Sequence, residues 1–282
     1  MTLRIPPYFD YLINAFHQGA AERCVHLGYW DKPPPGKSLT ARDFSGAQRR
    51  LDERVIALGD FADGQRVLDA GCGFGGTLEA LNARFSRMSM CGVNVDPRQL
   101  ALCRGLQPQN GNQFAWTEAD ACALPFPDAS FERVVCVEAM FHFASRRAFF
   151  REAARVLAPG GTLVGTDITV ASSARALDAP VFPIARTLDE GYGPWPDFWG
   201  ADADHNLLGA GAGLRCAWLS DVSAQVLPSH QFTSPSGTHI HAALGSADAN
   251  AALRAALMLK WLHVEGHLRY HCFRFDKPRE PR

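Results

Sequence analysis

Between Gln65 and Ile168 the sequence alternates between the periodicity of a β-strand and that of an α-helix. Short apolar runs predict five strands, at 66–70, 88–95, 113–118, 132–137 and 161–168. Between them, the segments 77–85 and 145–157 are amphipathic, and Asp96-Pro97 is typical of the start of another helix. Strands that alternate with helices form right-handed βαβ units with parallel strands. We therefore predict an α/β fold with a doubly wound, mostly parallel sheet.

The remaining segments supply further elements around this core. Ser45 and Gln48 fit a capping box and predict a helix that begins near Ser45. The stretch 170–212 combines aromatic residues with prolines and glycines and breaks the alternation, which predicts a cap inserted over the carboxyl edge of the sheet. The runs 214–219, 223–226 and 269–275 are expected to return to the sheet, with a helix before the last of them. We expect seven strands in all.

The composition excludes several classes of partner and compartment. The 282 residues carry a formal net charge of −1, which gives no electrostatic reason to expect nucleic acid or an anionic membrane as partner. Eight cysteines lie mostly in apolar stretches without a C-x-x-C pair, as in reduced cytosolic proteins. We find no signal peptide and no apolar run of membrane-spanning length. A cytoplasmic protein, as a monomer or homodimer, is expected.

The first predicted strand ends in the motif Val67-Leu-Asp-Ala-Gly-Cys-Gly-Phe-Gly-Gly76, which determines the kind of ligand. Glycines allow the backbone to turn sharply and to approach a ligand closely. The spacing also satisfies the G-x-G-x-x-G pattern of dinucleotide-binding proteins. However, Asp69 precedes the first glycine by two positions, and a carboxylate there favours an ammonium group over a pyrophosphate. The motif therefore favours a cofactor with an amino-acid part over a nicotinamide dinucleotide.

Four segments in order and spacing resemble the class I (Rossmann-like) S-adenosylmethionine-dependent methyltransferases. The segments are 67–76, 92–99, 118–131 and 155–167, and the span in which they lie is about a third of the chain. The resemblance is to the small-molecule branch of tocopherol, sterol, macrolide-sugar and geranyl diphosphate methyltransferases. The sequence His26-Leu-Gly-Tyr-Trp30 is similar to the N-terminal lid of that branch. The resemblance implies S-adenosyl-L-methionine as cofactor and a small molecule as substrate.

The resemblance also implies roles for individual residues around the cofactor. The methionine part would be held by Asp69, Gly71, Gly73 and Gly75, with Tyr29 and Gln48 closing over its carboxylate. The adenine edge would be contacted by Asp120 and Ala121. Many relatives carry an acid for the ribose hydroxyls at the end of the second strand, whereas this chain has Asn94. The ribose contacts would therefore be shared among Asn94, Val95 and Gln99.

We divide the chain into four parts on these grounds. Residues 1–60 form a helical lid, 61–168 the cofactor-binding core, 169–212 the substrate cap after the fifth strand, and 213–282 the C-terminal completion of the sheet. The aromatic residues of the cap are expected to line the substrate site, and they are Phe182, Trp195, Phe198 and Trp199.

Catalytic candidates follow the fourth and fifth strands. Relatives that methylate sugar hydroxyls carry a histidine and an acid at positions similar to His142 and Asp167, which we expect to form a hydrogen-bonded pair. Relatives that methylate prenyl diphosphates carry a glutamate at a position similar to Glu138. Because this chain has all three residues, the motif leaves open whether oxygen, nitrogen or carbon is methylated.

Alternative interpretations also remain open at this stage. An enzyme of the same fold could cyclise or cleave S-adenosylmethionine, a nicotinamide-dependent dehydrogenase would use the same sheet, and a catalytically silent module would only bind the cofactor. His239 and His241 would share one face of a strand, but no carboxylate pattern accompanies them. We therefore expect no metal ion.

Overall fold

The computed structural model describes residues 5–32, 39–196, 198–199, 204–234, 239–246 and 249–279. Strands in these ranges form a single seven-stranded sheet of order β3-β2-β1-β4-β5-β7-β6. The strands are β1 (Arg66–Ala70), β2 (Ser89–Asn94), β3 (Gln113–Glu118), β4 (Phe131–Cys136), β5 (Leu157–Val170), β6 (Arg215–Asp221) and β7 (Leu268–Asp276). The strand β7 is antiparallel to both of its neighbours, whereas the pairs on the other side of β5 are parallel. The predicted doubly wound, mostly parallel sheet is confirmed.

Helices cover both faces of the sheet, and shorter ones lie in the connections. They are α1 (Tyr8–His17), α2 (Ala41–Gly59), α3 (Gly76–Arg84), α4 (Pro97–Cys103), α5 (Arg146–Val156), α6 (Ile184–Tyr192), α7 (His205–Gly211), α8 (Ser223–Val226), α9 (His230–Thr233), α10 (Ile240–Leu244) and α11 (Ala251–Val264). Short 3₁₀ turns lie at Met140–His142, Ser172–Leu177 and Leu227–Ser229. No helix in the described ranges has both the length and the apolar character needed to cross a membrane.

Alternate residues of the central strands pack into two apolar cores. Val67 and Val164 belong to the cluster that includes α2 and α11, whereas Leu68 and Leu163 belong to the cluster that includes α5. Successive side chains of a strand point to opposite faces of the sheet, so a strand covered on both faces must be apolar throughout. The strand β5 is buried continuously from Gly161 to its end.

The order of the strands places a reversal at β1. The chain proceeds outward from β1 through β2 to β3, and then returns to β4 on the other side of β1. Open α/β sheets bind ligands at the carboxyl ends of the strands that flank such a reversal. A ligand is therefore expected to bind at the loops that follow β1 and β4.

Three local predictions are wrong. The helix predicted to begin near Ser45 begins at Ala41, because Thr40 and Asp43 form the capping box instead. The run 223–226, expected to return to the sheet, is the short helix α8. His239 precedes helix α10 and His241 lies within it, so the two do not share the face of a strand.

Candidate active site

The loop after β1 is a glycine turn that brings the backbone close to the sheet edge. Gly71, Gly73 and Gly75 have positive φ angles of 79°, 52° and 83°, which L-residues other than glycine rarely adopt. A Cβ atom at Gly71 would lie 2.5 Å from the Cβ of Ala139. Gly75 is also the N-cap of α3, so the backbone N–H groups at the start of this helix lie at the turn.

Asp69 lies at the base of this turn and is almost completely buried, with 2% of its surface exposed. Burial raises the pKa of its carboxyl to about 8, and the negative charge of Asp52 acts in the same direction, whereas His26 opposes both. A buried carboxyl with so high a pKa is mostly neutral at pH 7. A cation placed beside it would favour the ionised form and lower the pKa.

The end of β2 carries an amide pair with an unused donor. The Nδ2 atom of Asn94 donates to Oε1 of Gln99 at 3.0 Å, and Oδ1 of Asn94 accepts from the backbone N–H of Asp96. The buried Nε2 of Gln99 has no hydrogen-bond partner among the described residues. Val95, half-buried, follows Asn94. A buried donor without a partner costs free energy unless a ligand satisfies it.

Asp120 and Ala121 follow β3, two strands from the glycine turn. The carboxylate of Asp120 accepts from the backbone N–H of Cys122 at 2.8 Å and so shapes the turn. Ala121 is buried in the core that includes β4. Both residues therefore lie at the carboxyl edge of the sheet, as predicted, and their contact with a ligand remains a prediction.

A segment of the N-terminal part crosses this edge and is fastened by backbone contacts. The Nε2 atom of Gln48 donates to the carbonyls of Cys24 and His26, both at 2.8 Å. The backbone N–H of Tyr29 donates to the carbonyl of Ala47 on α2. Gln48 therefore fixes the course of the segment. The proposed contacts of Tyr29 and Gln48 with a ligand carboxylate remain predictions.

Glu138 joins this segment to the sheet. Its Oε2 atom accepts from the backbone N–H of Leu27 at 2.8 Å and from the hydroxyl of Tyr270 at 2.7 Å. Its own N–H donates to Oγ1 of Thr166, and its φ of 49° is left-handed. Burial raises the pKa of Glu138, while His26 and the two hydrogen bonds oppose the rise. The side chain therefore has a positioning role in the free protein.

His142 is in contact with the N-terminal helix. Its Nε2 atom lies 2.8 Å from the hydroxyl of Tyr8 on α1. The centroids of the His142 and Phe141 rings are 4.1 Å apart. Burial lowers the pKa of His142 to about 3, although the carbonyl of Pro194 acts in the opposite direction. The imidazole is therefore neutral at physiological pH, and its Nε2 lone pair can accept a hydrogen bond from the tyrosine hydroxyl.

The expected pair of His142 and Asp167 does not form, because Asp167 bonds to other partners. Its carboxylate oxygens lie 2.7 Å from Nε of Arg146 and 3.1 Å from Nε2 of His205, and one accepts from the N–H of Ile168. Burial raises the pKa of Asp167, but Arg146 and His205 outweigh it and hold the pKa at about 2. Arg146, whose charge is almost completely buried, was not foreseen as a partner of Asp167.

Replacing Asp167 by asparagine is expected to lower the free energy of unfolding by more than about 1 kcal/mol, because Arg146 and His205 both lose a carboxylate that they bond to in the protein interior. Urea denaturation at neutral pH measures this difference. Asp128→Asn is the matched control, because Asp128 is 78% exposed and pairs with Arg155 at the surface, where such pairs contribute about 0–1 kcal/mol. Equal losses in the two variants would contradict a special contribution from the buried pair.

The aromatic residues of the cap divide into two groups. Trp195 packs on Phe141, next to His142, with ring centroids 4.6 Å apart, and Phe198 contacts both Trp195 and Trp199. Phe182 instead packs on His241 and Trp261, between α10 and α11. The buried Nε1 of Trp195 has no hydrogen-bond partner among the described residues. Trp195 is therefore the cap residue best placed to contact a ligand near His142.

Three tyrosines near Glu138 and His142 were not foreseen from the sequence. Tyr8 contacts Tyr192 edge to face at 5.1 Å, and Tyr270 bonds to Glu138. They come from α1, the end of α6 and β7, so no local pattern connects them. Burial raises the pKa of all three hydroxyls, which remain protonated donors at neutral pH.

The sequence of this chain is similar to those of known methyltransferases. Residues 68–165 match the model of a family described as a methyltransferase domain. The methyltransferase GfsG of Streptomyces halstedii is 34% identical over 208 residues, which are 72% of this chain and 70% of that protein. The O-methyltransferase cnsE of Penicillium expansum is 29% identical over 223 residues, 78% of this chain and 76% of that protein.

The fold is also similar to that of a solved structure, geranyl diphosphate C-methyltransferase from Streptomyces coelicolor A3(2) in complex with Mg²⁺, geranyl diphosphate and S-adenosyl-L-homocysteine. The TM-score is 0.65 at 16% identity, and the alignment covers 96% of this chain and 98% of the other. At this level of identity the likeness concerns the fold alone.

Proposed function

The chain belongs to the class I S-adenosylmethionine-dependent methyltransferases and transfers a methyl group to a small-molecule acceptor, and we propose that the acceptor binds between the cap and α1, beside His142 and Glu138. The observation that carries this proposal is the position of His142, which contacts Tyr8 of α1 and Phe141, the residue on which Trp195 packs. The acceptor would be mainly apolar, with at least one hydrogen-bond acceptor atom.

Three features of the free protein fit S-adenosylmethionine as cofactor. The left-handed backbone at Gly71, Gly73 and Gly75 allows the turn to present its backbone to a ligand at close approach. The buried, largely neutral Asp69 would become a carboxylate partner of the ligand ammonium. The unused Nε2 donor of Gln99 would bond to a ribose hydroxyl. We further propose that Asp120 and Ala121 contact the adenine, and that Gly71, Gly73 and Asn94 line the cofactor.

The affinity for S-adenosylhomocysteine is expected to rise by about tenfold per pH unit between pH 6 and 8 and then to level off. The reason is that the ligand ammonium binds ionised Asp69, whose pKa in the free protein is about 8, so binding releases a proton below that pH. Calorimetric titration across this range measures the effect. An affinity independent of pH in the wild type would contradict the contact with Asp69.

The cofactor supplies an electrophilic methyl group on a sulfonium sulfur, and the chain must hold the acceptor in line with it at about 3–3.5 Å. Neutral His142 offers Nε2 as proton acceptor once the hydroxyl of Tyr8 gives way to the acceptor group. Buried Glu138 holds Leu27 and Tyr270 and so keeps the N-terminal segment closed over the site. Closure excludes water from the reacting groups.

The helix α1 is the element most suited to open for the acceptor. Each of its residues keeps part of its surface exposed, although the hydroxyl of Tyr8 is buried. Tyr8, Phe16 and Asp10 connect the helix to His142, Phe74 and Arg98, respectively. Segments held by few buried contacts open at low free-energy cost. We propose that residues 1–60 act as a lid and 169–212 as the substrate cap, around the core at 61–168 and the completion of the sheet at 213–282.

Trp195→Phe is expected to raise the KM for the acceptor by about tenfold, because it removes one buried N–H donor worth about 1.4 kcal/mol and leaves a smaller aromatic ring in place of the indole. Steady-state kinetics at saturating cofactor measures the change. Trp261→Phe is the matched control, since Trp261 packs against Phe182 away from His142. An unchanged KM in Trp195→Phe would mean that the acceptor makes no hydrogen bond to the indole.

The reaction class is tested by the product formed from methyl-labelled S-adenosylmethionine with a panel of apolar phenols and hydroxylated macrolides. Methyl transfer releases S-adenosylhomocysteine and labels the acceptor. Methylthioadenosine as the main product would instead support cyclisation or cleavage of the cofactor. A protein that binds the cofactor and turns over none of the panel would favour the silent binding module.

We propose that the enzyme works in the cytoplasm as a monomer or homodimer without nucleic-acid partners. All eight cysteines are free, as is usual in reducing compartments, and the net charge of −1 gives no overall attraction for a polyanion.

A further inference from the structure

A thiol, an imidazole and a carboxylate meet next to the N-terminal segment, outside the proposed contacts with cofactor and acceptor. The Sγ atom of Cys24 lies 3.1 Å from Oδ2 of Asp52, and Nε2 of His26 lies 3.3 Å from the same oxygen. Asp52 lies on α2, whereas Cys24 and His26 precede it in the chain. The three potential ligand atoms lie within 4.8 Å of one another.

This donor set suits zinc. Zinc binds thiolate sulfur at about 2.3 Å and imidazole nitrogen or carboxylate oxygen at about 2.0–2.2 Å, in tetrahedral geometry. Tetrahedral angles and these bond lengths place ligand atoms about 3.3–3.6 Å apart. The distances of 3.1 Å and 3.3 Å in this cluster need only a small expansion to reach those values.

The groups behind His26 and Asp52 have the arrangement that is usual for metal ligands. Nδ1 of His26 lies 2.9 Å from the carbonyl of Leu27, so an N–H there donates to the carbonyl and directs Nε2 toward the cluster. Oδ1 of Asp52 accepts from the hydroxyl of Thr77 at 2.8 Å, which leaves Oδ2 to face Cys24 and His26. Metal-binding histidines and carboxylates are usually oriented by such outer hydrogen bonds.

Contrary to the expectation from the sequence, we propose that Cys24, His26 and Asp52 bind a zinc ion, with water as the fourth ligand. His26 and Asp52 are buried, whereas Cys24 is only partly buried, and the cluster can therefore be reached from its side. Binding forms a bond from the metal to Sγ, to Nε2 and to Oδ2, and it releases the thiol proton and any proton on Nε2 to solvent. The three protein ligands leave one coordination position open.

A zinc ion at this position would connect three separate parts of the chain. It would link the segment that contains His26, Leu27 and Gly28 to α2, and through Thr77 to the first turn of α3. Leu27 is also the partner of Glu138. A bound zinc ion would therefore hold the N-terminal segment at the sheet edge, independently of which acceptor the enzyme methylates.

Titration of the metal-free full chain with Co²⁺ tests this proposal, since cobalt reports its ligands in the absorption spectrum. We expect one equivalent to bind, with a thiolate charge-transfer band in the near ultraviolet and the strong visible bands of tetrahedral cobalt, and Zn²⁺ to displace it. Cys24→Ser should abolish the thiolate band. It should also weaken cobalt binding by more than about 100-fold, because removing a residue that only hydrogen-bonds to a ligand already weakens binding by about 10–100-fold.

Cys216→Ser is the matched control, because Cys216 is a free, partly buried thiol on β6 and outside the cluster. It should bind cobalt like the wild type. A second measurement needs no variant: Zn²⁺ should protect Cys24, but not Cys216, from alkylation by iodoacetamide in the wild type. Absence of stoichiometric binding, a thiolate band that persists in Cys24→Ser, or equal alkylation of Cys24 with and without Zn²⁺ would overturn the proposal.

Discussion

Asp69→Ala is expected to weaken the binding of S-adenosylhomocysteine by about 10²-fold, because the ligand ammonium loses a buried charge-assisted hydrogen bond worth about 1.5–3 kcal/mol. Calorimetric titration gives the affinity directly. In a thermal-shift experiment, the rise in melting temperature seen for the wild type should largely disappear at the same ligand concentration.

The stability of the ligand-free variant distinguishes this effect from damage to the fold. Burial of Asp69 disfavours its charged form, so alanine at this position removes an unfavourable group and should leave the melting temperature unchanged or higher. The wild type should also show no shift with NAD. A strong shift with NAD, or undiminished binding by Asp69→Ala, would contradict the assignment of the cofactor site.

His142→Ala is expected to lower kcat by about 10²–10⁴-fold, the usual contribution of a general base, with the affinity for S-adenosylhomocysteine nearly unchanged. The pKa of His142, about 3 in the closed protein, means that a neutral imidazole is available at every pH above about 5. The rate of methyl transfer under single-turnover conditions separates this step from product release.

Two variants decide between His142 and Glu138 as proton acceptor. Tyr8→Phe removes the hydroxyl that occupies Nε2 of His142 and should change kcat less than His142→Ala does. Glu138→Gln keeps an oxygen for Leu27 and Tyr270 and removes only the basicity. If Glu138→Gln alone abolishes turnover while His142→Ala remains active, the proton leaves to the glutamate, and a carbocation mechanism on an alkene would replace the heteroatom acceptor.

The core of the fold could be predicted from the sequence because its signals are local. The apolar runs of β1, β2 and β3 and the Asp96 cap with Pro97 specify their elements within a few residues. The glycines at 71, 73 and 75 require left-handed backbone wherever they lie. By contrast, α2 begins earlier than predicted because two capping boxes compete along this stretch, and only the structure shows Thr40 and Asp43 paired.

The carboxyl edge of the sheet, with Asp69, Asn94, Asp120 and Glu138 placed along it, follows from strand order and could therefore be inferred. The partners of the side chains at this edge could not, because they come from distant parts of the chain. Tyr8 and His142 are 134 positions apart, and Glu138 and Tyr270 are 132. Sequence periodicity indicates which side of a helix or strand faces the core, but not which buried polar groups satisfy one another.

The same limit explains why Asp167 pairs with Arg146 instead of His142. A buried carboxylate is stabilised by whichever charged donor the packing places next to it. For Asp167 this donor depends on how α5 packs on β5. Turn chemistry and periodicity thus determined the sheet and its ligand-binding edge, and the resemblance of four sequence segments indicated the cofactor. Only the tertiary structure decided the network around His142 and Glu138 and the meeting of Cys24 and His26 with Asp52, because those contacts exist only once separate elements have packed together.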